Sequence, residues 1–235
     1  MTKYNYNYDT FYNEDDVSYY LLGAYMTDGC VQINGKSSWI TTISSKDENW
    51  LQLIREYICP DIKIRQGNQV KLFSISNKEI GGWFISNGCV PRKSAILECP
   101  DVPSKYLPDF LRGCWDGDGS ISFYTKKSNN KIIYSSYLCS ASFLFLEKIS
   151  AILIENGINN SICETSKQNC KINGRIVVAK HNQYRITLGG RATYKLVKLL
   201  YYPNHKLSLP RKKERANTII NYYQTLEKEK ELLLT

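Results

Sequence analysis

The chain has 235 residues, long enough for one large domain or two small fused ones, and 43% hydrophobic with 12% aromatic content supports a packed core rather than wholesale disorder. Lysine and arginine number 31 against 22 acidic residues, and the net charge of +9 suits either a polyanionic partner such as nucleic acid or a merely basic soluble protein. No stretch approaches the ~20 apolar residues that cross a bilayer, so no membrane partner is expected, and the polar, tyrosine-rich start at Met1–Asp9 is not expected to be a signal peptide.

In chain order, Asn13 followed by Glu14, Asp15 and Asp16 predicts a capped helix start, and the helix runs to about Asp28 with Gly29 as a left-handed C-terminal cap. Strands are expected at Val31–Asn34 and Trp39–Ser44 around an Asn34-Gly35 turn, then a helix over about Asp47–Tyr57. A second hairpin pairs Ile62–Arg65 with Val70–Ile75 through Gly67-Asn68, and a further helix covers about Asn77–Ser86. A proline-punctuated stretch holds Pro91, Pro100, Pro103 and Pro108. The same order then returns: strands near Ile121–Tyr124 and Ile132–Cys139, a longer hairpin near Cys170–Ile186 turning at Asn173-Gly174, and a basic-then-acidic helix from Arg211 to about Leu232.

Eight cysteines, at 30, 59, 89, 99, 114, 139, 163 and 170, lack the paired spacing of zinc ligands, and His181 and His205 are the only histidines. A structural zinc site is therefore not expected. The cysteines are expected to be thiols, in an intracellular rather than a secreted setting.

The sequence reads twice. Leu21-Leu22-Gly23-Ala24-Tyr25-Met26-Thr27-Asp28-Gly29 is similar to Leu111-Arg112-Gly113-Cys114-Trp115-Asp116-Gly117-Asp118-Gly119, 90 residues on. Phe73-Ser74-Ile75 matches Tyr184-Arg185-Ile186, 111 residues on, and Val90-Pro91-Arg92-Lys93 matches Leu209-Pro210-Arg211-Lys212, 119 residues on. Offsets that only rise are what a duplication with longer loops in its second copy produces.

Within the first repeat, Gly23 and Thr27 are small and one helical turn apart, as are Gly113 and Gly117 in the second. Glycine inside a helix costs roughly 1 kcal/mol against alanine. Its recurrence implies that two helix backbones approach closely, side by side across a pseudo-twofold axis. Asp28 and Asp118 then sit on the last turns, where the helix dipole already places negative charge, and they repel each other. A divalent cation between them relieves both repulsions, and hard oxygens suit Mg²⁺. Asp16 and Asp109, near the helix starts, are read as capping residues, and Met26 as packing.

With their Asp-Gly endings and the Pro-Arg-Lys segment closing each copy, the repeats resemble the LAGLIDADG homing endonucleases, from about residue 13 to 220. The resemblance implies an α+β fold, a tandem pseudo-twofold duplication of an αββαββα unit with two saddle-shaped antiparallel sheets. It implies an N-terminal unit over 1–98, a linker over 99–107 and a C-terminal unit over 108–235. It further implies a monomeric, site-specific endonuclease that cuts both strands of a long, near-asymmetric DNA site across the minor groove, leaving 3′ overhangs. Asp28 and Asp118 fall at the family's metal-binding position, with Gly29 and Gly119 as further metal contacts and Mg²⁺ or Mn²⁺ as cofactor, whereas Ca²⁺ is expected to bind without supporting cleavage. Lys93 and Lys212 are candidates for charge stabilisation at the scissile phosphate. Met26 departs from the family pattern, which Asp116 keeps.

DNA reading is assigned to the strands and the basic triplets: Gln32, Asn34, Lys63, Arg65, Lys71, Arg92, Lys126, Lys171, Arg175, Lys180, Gln183, Arg185 and Arg211. Two other readings stay open, an RNA-gripping group I intron maturase and a DNA-binding protein that does not cut. No splicing-domain signature flanks the repeats, which favours an intron-encoded or free-standing enzyme of an organelle, bacterium or phage.

Overall fold

After one turn of helix, α1 (Asp9–Tyr12), the chain enters the long α2 (Asp16–Thr27). The capping residue is Asp15, whose carboxylate accepts from the N–H groups of Val17 and Ser18 at 2.9 and 3.0 Å. Asn13, expected in that role, instead ends α1, its N–H bonded to the Asp9 carbonyl. The chain reverses at Glu14, in the left-handed region at φ 44°, so that Asp15 is the first residue extended enough to cap. The computed structural model describes residues 4–35, 38–128, 131–165, 170–172, 175–177 and 181–232.

The first unit continues with β1 (Gly29–Asn34), β2 (Ser38–Ser45), α3 (Glu48–Ile58), β3 (Arg65–Gln66), β4 (Lys71–Ser76) and α4 (Lys78–Ser86). After two 3₁₀ turns, α5 (Leu107–Asp118) opens the second unit. It is followed by β5 (Gly119–Lys126), β6 (Lys131–Ser140), α6 (Phe143–Glu155), β7 (Ser161–Thr165), β8 (Cys170–Ile172), β9 (Arg175–Val177), β10 (Gln183–Gly189), α7 (Gly190–Leu200) and α8 (Pro210–Leu232). Two antiparallel four-stranded sheets result, in the orders β1-β2-β4-β3 and β5-β6-β10-β7. The fold is α+β, and each unit is built on αββαββα, the second with the β8–β9 ribbon inserted before its last strand and α8 added at its end.

Strand alternation places Val31, Thr41, Ile43, Phe73 and Ile75 against the helices in the first unit, and Ile121, Tyr134, Ser136, Leu138, Ile186 and Leu188 in the second. The opposite faces stay open. Two expectations change here. The hairpin from Ile62 forms a ladder only at Arg65–Gln66, because Ile62 turns into the core while Lys63 and Ile64 pair with no strand. In the second unit the partner of the last strand is β7, and Cys170–Val177 forms its own two-stranded ribbon, whose Asn173-Gly174 turn lies outside the described residues.

Register also corrects the internal repeat. Ile43 pairs with Gly29 and Phe73, as Leu138 pairs with Gly119 and Ile186. The true counterpart of Phe73-Ser74-Ile75 is therefore Ile186-Thr187-Leu188, two residues beyond the match expected from sequence. In both units an apolar pair faces the core and a hydroxyl between them faces out.

The seven cysteines with described side chains are all free. Among the described residues no helix is long and apolar enough to cross a membrane.

Candidate active site

The two units meet along α2 and α5. A Cβ on Gly23 would overlap the Phe110 carbonyl and lie 2.9 Å from the Cys114 nitrogen, and one on Gly113 would overlap the Tyr20 carbonyl and lie 2.8 Å from the Ala24 nitrogen. Backbone against backbone leaves room only for hydrogen, as the recurrence of glycine predicts. One turn on, a Cβ on Gly117 would strike the Thr27 side chain and lie 3.4 Å from the Asp28 nitrogen. The helix ends that bear Asp28 and Asp118 thus touch.

Gly29, expected as a left-handed C-terminal cap, is not one, and Gly119 resembles it. Gly119 is extended, at φ −88° and ψ 167°, and Gly29 is not among the left-handed residues. A side chain at either would collide with the preceding turn, 2.6 Å from the Cα of Tyr25 or 2.7 Å from that of Trp115. Each glycine lets a helix pass straight into a strand over a bulky aromatic.

Burial raises the pKa of both carboxyls, and for Asp28 it does so with the Asp118 charge as the next cause, up to about 6. Lys212, Lys93 and Arg211 pull Asp28 back down; Lys93 and then Lys212 do so for Asp118. Two mutually repelling carboxylates at the negative ends of two helices, Asp28 half-buried and Asp118 open to solvent, form a donor set that a hard divalent cation satisfies. No cluster of three or more His, Cys, Asp or Glu occurs among the described residues, so the site offers this carboxylate pair alone.

Both expected lysines arrive, buried, at the same place. Lys93 donates to the Gly29 carbonyl at 2.5 Å. Lys212 donates to the carbonyls of Trp115, Asp116 and Gly117 at 2.6, 2.8 and 3.1 Å, capping the end of α5, and desolvation lowers its pKa to about 8. The Lys93 ammonium thus occupies one lone pair of the Gly29 carbonyl. Beside Asp118 and Lys93 opens a cavity of about 230 Å³, which Gln183 also lines.

On the open sheet faces the expected reading residues divide. Gln32 and Asn34 alternate outward on β1, and Arg65 shares that face by its register with Leu72. Lys126 lies exposed at the end of β5. Gln183 and Arg185 face outward on β10, with the Arg185 guanidinium 4.5 Å from the centre of the Tyr137 ring. Lys63 is exposed but outside the sheet. Lys71 must be struck from the reading surface: it shares strand parity with Phe73 and Ile75, turns to the helix layer and pairs with Glu48 at 3.1 Å. Arg92 is exposed in a left-handed conformation, whereas Arg211 pairs with Asp47 at 2.9 Å. Lys171 and Arg175 stand on the β8–β9 ribbon, their side chains outside what is described, and Lys180 lies outside the described residues.

Sequence reasoning missed two features. Asp109 is not a cap: it is buried in an ion pair with Arg112 at 2.6 Å and accepts from Tyr202, while Arg112 also donates to the carbonyls of Leu200 and Leu207. Asp116 accepts from Tyr20, Tyr201 and the Leu209 N–H at 2.7–2.8 Å. Charged residues inside an otherwise apolar helix were the available signal. The second feature is a set of outward hydroxyl pairs, Thr42–Ser74, Ser122–Ser135 and Ser161–Thr187, legible as serine and threonine at every second position. Met26 is buried packing, as expected.

Comparisons with known proteins bear on the fold. Residues 106–189 match the family model described as a LAGLIDADG-like domain. No curated protein matches the chain by sequence. Among solved structures, the meganuclease I-SmaMI bound to uncleaveable DNA superposes with a TM-score of 0.61 at 13% identity, over 91% of this chain and 92% of that one. The LAGLIDADG meganuclease I-AabMI bound to uncleaved DNA gives 0.58 at 12%, over 90% and 91%. Mesophilic variants of the homing endonuclease I-DmoI give 0.53 at 17%, over 83% and 96%.

Proposed function

Because this chain carries a LAGLIDADG-like domain and has the two-unit fold of the single-chain LAGLIDADG homing endonucleases, we propose that it is a metal-dependent, site-specific DNA endonuclease working as a monomer. The observation that carries this reading is the meeting of Asp28 and Asp118 at abutting helix ends, with a buried lysine beside each. Neighbours of the same fold are described bound to target DNA, and I-DmoI variants in the presence of manganese or magnesium, which supports DNA as partner and Mg²⁺ or Mn²⁺ as cofactor.

Asp28 and Asp118 would hold the cation, which when bound supplies an activated water and charge neutralisation at the leaving oxygen. Lys93 and Lys212 hold positive charge at the same place and ease the approach of a phosphodiester to two carboxylates. The Lys212 caps fix the end of α5 and therefore the aim of Asp118. The two open sheet faces, with Gln32, Asn34, Arg65, Gln183 and Arg185, lie in the major groove and read the half-sites, while hydroxyls between them contact bases or phosphates.

The test is recovery of cleaved sequences from a randomised duplex library in Mg²⁺, followed by cleavage of the recovered site. Asp28→Asn and Asp118→Asn should each slow cutting by at least about 100-fold, the scale of a lost metal contact, with DNA binding kept. Wild-type protein that binds its DNA tightly yet cuts nothing would turn the reading into that of a non-cleaving binder.

A further inference from the structure

The open face of the second sheet changes character along the β5–β6 hairpin. Moving away from α5, Ser122 lies beside Ser135, then Tyr124 beside Ile133, then Lys126 beside Lys131. The hydroxyls of Ser122 and Ser135 meet at 3.0 Å, and one row further out the hydroxyls give way to hydrocarbon. Tyr124 is 57% exposed and Ile133 is half-buried. Alternation puts both opposite Phe123 and Tyr134, whose rings stand 6.1 Å apart and turn to α8, where Tyr134 meets Tyr222 and Tyr223. A cross-strand apolar pair strengthens its hairpin, and Phe123 with Tyr134 already does so on the helix side. Tyr124 and Ile133 instead turn apolar area to the open face, between serines and lysines. The first unit has Asn34 at the matching place, five residues beyond Gly29 as Tyr124 is beyond Gly119.

We propose that Tyr124 and Ile133 are specificity-determining residues that read thymine, closing on its methyl group in the outer part of the half-site under the second unit. This rests on the endonuclease reading above and adds a base identity to it. Thymine alone among the bases carries an apolar group in the major groove, so it alone gains from contact with hydrocarbon there. The serines nearer α5 suit bases of either kind, and Lys126 and Lys131 lie beyond the pair where a basic side chain holds phosphate. Five residues past Gly119, the pair stands about 17 Å along the strand from the end of α5, clear of Asp118. Asn34, at the same remove in the first unit, offers an amide, which suits adenine.

The experiment uses the full chain and a duplex selected by binding from a randomised library. Each thymine of that duplex is replaced in turn by deoxyuridine, which lacks only the methyl group, and affinity is measured in Ca²⁺, with cutting scored separately in Mg²⁺. One or two thymines towards one end of the site should each lose about 4-fold in affinity, the scale of one buried methyl group, and the rest should stay within about twofold. In Tyr124→Gln and Ile133→Gln the ratio of thymine to deoxyuridine affinity at those positions should fall towards unity. Tyr124→Phe should keep the ratio, and so should Asn34→Ala, which alters the other unit. A purely structural role for the pair would weaken both duplexes alike and leave the ratio unmoved. Deoxyuridine accepted at every thymine, or a ratio that survives both glutamine variants, would overturn the thymine contact while leaving the nuclease reading intact. A duplex bound selectively but never cut would overturn the nuclease reading, with the ratio still deciding the contact, and wild-type protein that selects no duplex would overturn both.

Discussion

The motif helices α2 and α5 follow the same backbone path, yet three matching positions carry opposite chemistry. Tyr19, Leu22 and Met26 on α2 correspond to Asp109, Arg112 and Asp116 on α5, and all six are buried. In the first unit that stripe packs as hydrocarbon and ring. In the second it answers α7 and the loop beyond it: Arg112 holds the carbonyls of Leu200 and Leu207, and Asp116 receives Tyr201 and the Leu209 N–H. A duplicated fold tolerates either interior, provided that every buried donor and acceptor is matched. The polar interior also does something the apolar one does not. By gripping Leu209 it fixes the start of α8 and brings Lys212 to the end of α5.

The largest effect should come from making the second helix like the first. Asp116→Met would strand the hydroxyls of Tyr20 and Tyr201 and the Leu209 N–H, at a cost of about 1–3 kcal/mol for each stranded group, whereas Met26→Leu should cost less than about 1.5 kcal/mol. Urea unfolding midpoints would separate the two, and equal losses would break the comparison.

Next in size is the response to pH of the carboxyls the two helices share. With its pKa near 6 when folded and about 3.8 when unfolded, Asp28 keeps its proton in the folded protein while the unfolded chain has already lost it. Its contribution is therefore present below about pH 4 and lost as pH rises through 6, by at most about 3 kcal/mol at about 1.4 kcal/mol per unit. In EDTA, thermal unfolding should reveal this decline. Asp28→Asn should flatten it in part, since Asp118 shifts in the same direction.

The shared feature of the helices should give matched losses. Gly23→Ala and Gly113→Ala each press a methyl against backbone and should each cost about 1–3 kcal/mol, and clearly different values would show that the helices do not contribute alike. The smallest contrast lies at the helix caps: Ser142→Ala should cost about 1 kcal/mol, and Asp47→Ala less than that, since it loses only a partly exposed ion pair.

Most of this architecture was legible in the sequence because hydrophobic periodicity and paired glycines act locally. The helix at Asp16–Thr27 follows from residues within a turn or two of one another, while the carboxylate pair and both lysines were legible through the repeat and the family resemblance. What was not legible depended on long-range register. Phe73-Ser74-Ile75 looked like Tyr184-Arg185-Ile186, and only pairing with Ile43 and Leu138 moved the match by two residues. Strand β7 was missed because Ser161–Thr165 buries little and takes its order from β10. Lys71 looked like a reading residue because its charge is visible in sequence and its pairing with Glu48 is not.

The bond from Tyr20 to Asp116 has a consequence for what either half could do alone. In a homodimer of first units the Tyr20 hydroxyl would face Met26, and in one of second units Asp116 would face Phe110. Either homodimer would therefore lose this bond and leave a buried polar group without its partner. The two halves are in this way matched to each other across α2 and α5, and a half taken from elsewhere would need a hydroxyl opposite Asp116 or a carboxylate opposite Tyr20 to keep the match.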